Sequence, residues 1–190
     1  MVTLTPVKPQ ITLEEFLKQP ETKPYTEYID GKIEQKPMSQ GQHSLLQVCL
    51  GTTINEFVLP KKLAHAFTEL RCNFLDRSIV PDISIFLWNR IPKDEKGRIA
   101  NRFNLHPDWV IEILSPEQSA NKIIKKIMFC VNQGTQLAWL IDPEDESVMI
   151  FKPNQFPEIK SDDEILPVLD ELKEMQLSVK EMFSWLNLSD

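Results

Sequence analysis

Residues 109–142 read "WVIEILSPEQSANKIIKKIMFCVNQGTQLAWLID", with an apolar run at each end and a longer segment of helical spacing between them. The two runs have the length of buried strands, and the middle segment repeats apolar residues every three or four positions until Gly134. A strand, a helix and a second strand in this order form a βαβ unit with parallel strands. The stretch therefore predicts an α/β (α+β) domain with a mixed β-sheet flanked by helices.

Further strands and helices are predicted on both sides of this unit. Thr12 is placed to cap a short helix, and Asp30-Gly31 is a strong turn signal for a hairpin, after which a longer helix follows. Residues 65–75 and 78–88 have the composition of strands and are expected to pair as a hairpin. A strand in SVMIFKP follows the βαβ unit, and two short helices are predicted in the tail, over residues 166–173 and 178–186.

Length and composition indicate one globular domain. The chain has 190 residues, a net charge of −7 and a balance of apolar and charged residues typical of soluble proteins. We expect a single domain over residues 1–190, with residues 1–11 as a loose N-terminal arm. The three cysteines, Cys49, Cys72 and Cys130, form no CxxC pair. No segment has the length of a membrane span, so a cytoplasmic protein is expected.

Two carboxylates interrupt apolar strands. Glu112 lies within WVIEIL, and Asp82 lies within SIVPDISIF. Side chains alternate between the faces of a strand, so the two acids can converge if these strands are neighbours. Buried carboxylates repel each other unless one takes up a proton or a cation lies between them, and magnesium prefers oxygen ligands of this kind. A structural acid at a strand edge or a loop is the alternative interpretation.

The predicted helix after Glu112 carries three lysines on one broad side: Lys122, Lys125 and Lys126. A solvated helix face is the common reason for such a pattern. This helix, however, begins directly after the Glu112 strand, so an ammonium in its first turns can reach the end of the sheet. There it could hold a phosphate oxygen or orient the attacking water.

Other polar residues give weaker signals. His43 could line a site, but a lone histidine is more often structural, and Asp142 before Pro143 is typical of a turn. The histidines have no partner at zinc-ligand spacing, and Ser115 is outside any GxSxG motif. A zinc site and serine hydrolase chemistry are therefore not expected.

The ordered motifs IVPDISIF, HPDWVIEILSPEQS and AWLIDPEDESVMIFKP, with the lysine-bearing helix before the last of them, resemble the Uma-type family. YTEYIDGKIEQKPMSQGQHSLL is similar to the N-terminal motif of that family. The resemblance covers roughly residues 12–185 and implies a restriction-endonuclease-like fold. It also implies a magnesium- or manganese-dependent endonuclease that acts on DNA, and a homodimer is expected by analogy with restriction enzymes.

The resemblance implies a PD-(D/E)xK type of site. Asp82 and Glu112 would bind the metal, and Glu27 would be an additional acid of the site. The usual lysine lies two positions after the glutamate, where this chain has Leu114. The matching lysine is then expected in the next helix, as Lys126 or, as the alternative, Lys122.

Two other functions stay open at this point. The shifted lysine and the acidic net charge favour a nuclease-like fold that serves binding or assembly without catalysis. A nuclease acting on RNA or damaged DNA would use the same chemistry, and the sequence does not separate these substrates.

Overall fold

The computed structural model describes residues 11–116 and 118–188, and this part of the chain contains two β-sheets and four α-helices. The strands are β1 (Thr26–Ile29), β2 (Lys32–Gln35), β3 (Ala64–Thr68), β4 (Cys72–Phe74), β5 (Arg77–Ile79), β6 (Ile83–Leu87), β7 (Trp109–Ile113), β8 (Leu137–Asp142), β9 (Ser147–Phe151) and β10 (Glu158–Lys160). The helices are α1 (Leu13–Leu17), α2 (Gly41–Val58), α3 (Ala120–Asn132) and α4 (Val179–Ser184).

The larger sheet has six strands in the order β10-β9-β8-β7-β6-β3. Strands β7 and β8 are parallel, with Trp109 opposite Leu137, and their other neighbours in the sheet are antiparallel. The predicted βαβ unit and mixed sheet are therefore confirmed. The crossover helix α3 ends where Gly134 adopts a φ of +113°, a conformation that favours glycine.

The two faces of β7 pack against different helices because its side chains alternate. Trp109, Ile111 and Ile113 belong to a core that includes Leu46, Leu50 and Ile54 of α2. Val110, on the other face, belongs to the core formed with α3, which contributes its apolar stripe: Ile123, Ile127, Cys130. Glu112 therefore points toward α3 and away from α2.

The smaller sheet has the order β2-β1-β5-β4 and contains the predicted hairpin around Asp30-Gly31. The single hairpin expected from residues 65–75 and 78–88 is divided between the sheets, since β3 pairs with β6 and β4 pairs with β5. The two segments bend beside each other, where the Glu69 N–H donates a hydrogen bond to the Asp82 oxygen at 3.1 Å. Glu69 has a φ of +49°, and Pro81 has no backbone donor for a continuous ladder.

The tail differs from the prediction in its first helix. Residues 166–173 contain only a 3-10 turn, Asp170–Leu172, whose Leu172 is buried. The segment before it is extended, since Leu169 has a ψ of 150° and the Leu166 N–H donates a hydrogen bond to the Leu177 oxygen at 2.9 Å. Helix α4 forms with Ser178 as its cap, as predicted. Strand β10 was not predicted. Most of the predicted N-terminal arm, residues 1–10, lies outside the described residues.

A side chain binds the outward backbone groups of Ala66 in β3, an edge strand of the larger sheet. Asn55 of α2 donates a hydrogen bond from Nδ2 to the backbone oxygen of Ala66 in β3, at 2.9 Å. The backbone N–H of Ala66 donates to Asn55 Oδ1 at 2.8 Å. In the described ranges, no helix has both the length and the apolar character needed to cross a membrane.

Candidate active site

Asp82 lies immediately before β6 and is 2% exposed. Its Oδ2 accepts a hydrogen bond from the backbone N–H of Ile113 in β7 at 2.8 Å, so the carboxylate is held beside the neighbouring strand. Its Oδ1 lies 2.6 Å from Lys36 Nζ and 3.3 Å from His43 Nε2. Burial alone would raise its pKa, but Lys36 and His43 outweigh burial and hold the pKa below its ordinary value.

Glu112 is also 2% exposed. Its Oε1 forms an ion pair with Lys126 Nζ at 2.8 Å. Burial raises the pKa of Glu112 to about 7, the Lys126 ammonium opposes this shift, and the Asp82 carboxylate adds to it. Glu112 is thus a buried carboxylate whose counter-charge is the Lys126 ammonium.

Lys126 connects Glu112 to Glu27. It is 3% exposed, and its Nζ donates a hydrogen bond to Glu27 Oε1 at 3.0 Å. Glu27 Oε1 also accepts from the backbone N–H of Val80 at 2.7 Å. Burial favours the neutral amine of Lys126, but the charges of Glu112 and Glu27 outweigh it and raise the pKa. The ammonium is therefore held charged between two carboxylates.

The two candidate lysines occupy different environments. Lys122 is exposed, and its Nζ lies 3.3 Å from Glu34 Oε2. Leu114, at the position where the PD-(D/E)xK pattern has lysine, packs against the same core as α3. The structure therefore brings Glu27, Asp82, Glu112 and Lys126 together and leaves Lys122 outside the cluster. The ammonium of Lys126, which comes from α3, therefore contacts Glu112 in place of a lysine at position 114 of the strand segment.

Sequence reasoning missed two residues of this cluster and gave too little weight to a third. Lys36 Nζ contacts Asp82 and donates to the Val80 oxygen at 2.8 Å. Gln47 donates from Nε2 to the Asp82 backbone oxygen at 2.8 Å. His43, interpreted as structural, contacts Asp82 and lies 3.1 Å from Ser115 Oγ through Nδ1. The spacing of four between His43 and Gln47, on one helix face, is the signal that could have found them.

The cluster has few protein ligands for a metal. Within residues 11–116 and 118–188, no three His, Cys, Asp or Glu side chains are arranged to hold a metal ion. Magnesium commonly takes only one or two protein carboxylates and completes its shell with water and phosphate oxygens. Asp82 and Glu112 supply two such carboxylates, and each of them faces an ammonium group.

Two cavities border the cluster. A cavity of about 480 Å³ has Glu27, Lys36 and Lys126 in its wall and Lys122 and Glu34 at its exposed rim. A second cavity of about 790 Å³ lies on the other side of Pro116 and Gln118 and is lined by residues that include His43, Ser115 and Asp142. Asp142 accepts hydrogen bonds from the following turn, in agreement with its prediction as a turn residue.

A family model described as "Putative restriction endonuclease" matches residues 13–180. The chain belongs to the Uma2 family. The Uma2 chain is also 53% identical to a solved structure described as a putative nuclease from Anabaena variabilis, with a TM-score of 0.92 over 93% of this chain and 99% of that one. The predicted family and fold are confirmed, and both descriptions support a nuclease function. A search of curated proteins found no match.

Proposed function

We propose that this Uma2 protein is a metal-dependent endonuclease that hydrolyses DNA phosphodiester bonds. One observation carries the proposal: Asp82, Glu112 and Lys126 form a buried cluster, and Lys126 lines an open cavity. Asp82 and Glu112 would hold a magnesium or manganese ion. A bound divalent ion supplies charge neutralisation at the phosphate and an activated water molecule.

The protein side chains have distinct tasks in this proposal. Lys126, held charged by Glu27 and Glu112, would donate a hydrogen bond to a phosphate oxygen or orient the attacking water. Glu27 would position Lys126, and His43 would position Asp82. The cavity beside Lys36 and Lys126 would admit the phosphate backbone, with Lys122 at its rim.

Cleavage of plasmid DNA in magnesium and in manganese tests the proposal. We expect Asp82→Asn and Glu112→Gln to lose metal-dependent cleavage while circular dichroism shows the fold retained. Glu56→Gln is the matched control, because Glu56 is exposed on α2 and the substitution removes the same carboxylate charge as Glu112→Gln. Variants of both acids that cut as fast as the unsubstituted protein would show that this cluster is not the site.

A binding or assembly module without catalysis is the second candidate. It is favoured because each proposed metal ligand already faces an ammonium group, Lys36 on Asp82 and Lys126 on Glu112. Calorimetric titration separates the two functions: no heat at millimolar metal, and no change on Glu112→Gln, would support the module. Assays on RNA, damaged DNA and single-stranded DNA define the substrate. The homodimer and the cytoplasmic location stay predictions.

A further inference from the structure

We propose that Lys36 is the resident cation of Asp82 and that a divalent metal ion binds by displacing its ammonium group. This inference rests on the proposed function, because it requires Asp82 to be a metal ligand. It assigns a role to a residue that lies outside the PD-(D/E)xK pattern. It also explains how the carboxylates stay buried in the described residues, where no three side chains are arranged to hold a metal ion: the Lys36 ammonium neutralises Asp82.

The contacts of Lys36 resemble those of a bound cation. Its Nζ lies 2.6 Å from Asp82 Oδ1 and 2.8 Å from the Val80 backbone oxygen, so two oxygens from one loop converge on one positive charge. The side chain is buried. Carboxylate and backbone carbonyl oxygens are also ligands that hard divalent cations accept. The ammonium therefore occupies a position with oxygen donors suited to a metal ion.

The charges of the cluster favour exchange over addition. With all groups ionised, three carboxylates and two ammonium groups leave one negative charge in excess: Glu27, Asp82, Glu112, Lys36, Lys126. A divalent ion added beside both lysines would give an excess positive charge in a buried site, where like charges repel strongly. Departure of Lys36 makes the cluster neutral when the ion enters.

The structure gives the displaced ammonium a place to go. Lys36 lines the cavity of about 480 Å³ that also contacts Lys126. Its backbone N–H is fixed by a hydrogen bond to the Tyr25 oxygen at 2.8 Å, so the exchange requires only rotation of a flexible side chain. In the cavity, the ammonium would stand where the proposed function places the substrate phosphates.

Binding of Mn²⁺ to the whole chain, measured by calorimetry and by electron paramagnetic resonance, tests the exchange without a cleavage assay. We expect Lys36→Met to tighten Mn²⁺ binding about tenfold or more, because a competing positive charge is removed from the ligand. Lys36→Arg keeps the charge and should bind no tighter than the unsubstituted protein. Lys32→Met is the matched control, since Lys32 is exposed on the adjacent strand β2 and loses the same charge.

The outcomes separate the two proposals. Equal or weaker Mn²⁺ binding by Lys36→Met, beside binding by the unsubstituted protein, overturns the role of Lys36 alone. No Mn²⁺ binding by either protein overturns the metal-dependent function and the exchange with it. If Lys36→Met is unfolded, refolding in millimolar Mn²⁺ supports the exchange, because the ion replaces the lost ammonium. A variant that stays unfolded in the metal contradicts it.

Discussion

Glu112→Gln is expected to change how stability depends on pH. In the folded protein, burial raises the pKa of Glu112 from its ordinary value of 4.5 to about 7. A carboxyl whose pKa is raised on folding stabilises the folded state below its unfolded pKa, and this contribution is lost as the pH rises through the folded pKa. The loss therefore falls between about pH 4.5 and pH 7.

The size of the effect follows from the shift. Each unit of pKa difference corresponds to about 1.4 kcal/mol, so Glu112 should lower the free energy of unfolding by about 3 kcal/mol across this window. Glutamine is uncharged and has a similar shape, so the variant lacks the loss. Relative to the unsubstituted protein, Glu112→Gln should therefore gain stability as the pH is raised.

Urea unfolding of both proteins at pH 5, 6, 7 and 8 measures this difference. Taking the difference between the two proteins cancels the titration of groups that do not interact with Glu112. If the difference in free energy of unfolding is constant from pH 5 to pH 8, or favours the unsubstituted protein at high pH, Glu112 is not a buried acid with a raised pKa.

Two further variants test the packing around the site. Lys126→Met should lower the free energy of unfolding in urea by about 3–5 kcal/mol, because two buried carboxylates lose their counter-charge. Lys125→Met should change it by less than about 0.5 kcal/mol, since Lys125 is exposed. Equal effects of the two substitutions would contradict the buried ion pairs. Gly134→Ala should cost about 1–3 kcal/mol in thermal unfolding, since its φ is +113° and a Cβ would lie 2.8 Å from His106 Nε2. A Cβ at Gly41 meets no atom within 4 Å, so Gly41→Ala should be neutral or stabilising, and similar costs at both glycines would disprove the clash.

Much of the fold was predictable because residues 109–142 carry clear periodicity. The spacing of apolar residues defined β7, α3 and β8. A strand, a helix and a strand in this order predict that the two strands are parallel, as β7 and β8 are. The nested pairing of β3 with β6 and β4 with β5 was not predictable in this way. It depends on where two strands bend together, and a local pattern does not record that a bend in one segment faces a bend in another.

The site was predictable where a residue contradicted its surroundings. Asp82 and Glu112 stood out because each is a charge inside an apolar strand. Lys126 could be proposed because helical spacing relates it to the strand before it. Lys36 gave no comparable signal, since a lysine at the end of an amphipathic hairpin is common. Its contact with Asp82, 46 positions away, is created only by the tertiary fold.

The bidentate contact between Asn55 and Ala66 has a consequence for how the molecule meets its neighbours. The amide offers the outermost strand one donor and one acceptor, as the peptide group of an adjoining strand would. The backbone N–H and C=O of Ala66 are therefore not free to pair with a strand of another molecule, which opposes edge-to-edge aggregation at this position. Asn55→Leu would remove both of these hydrogen bonds and leave the Ala66 N–H without its acceptor, while His65 Nδ1 stays 2.9 Å from the Ala66 oxygen.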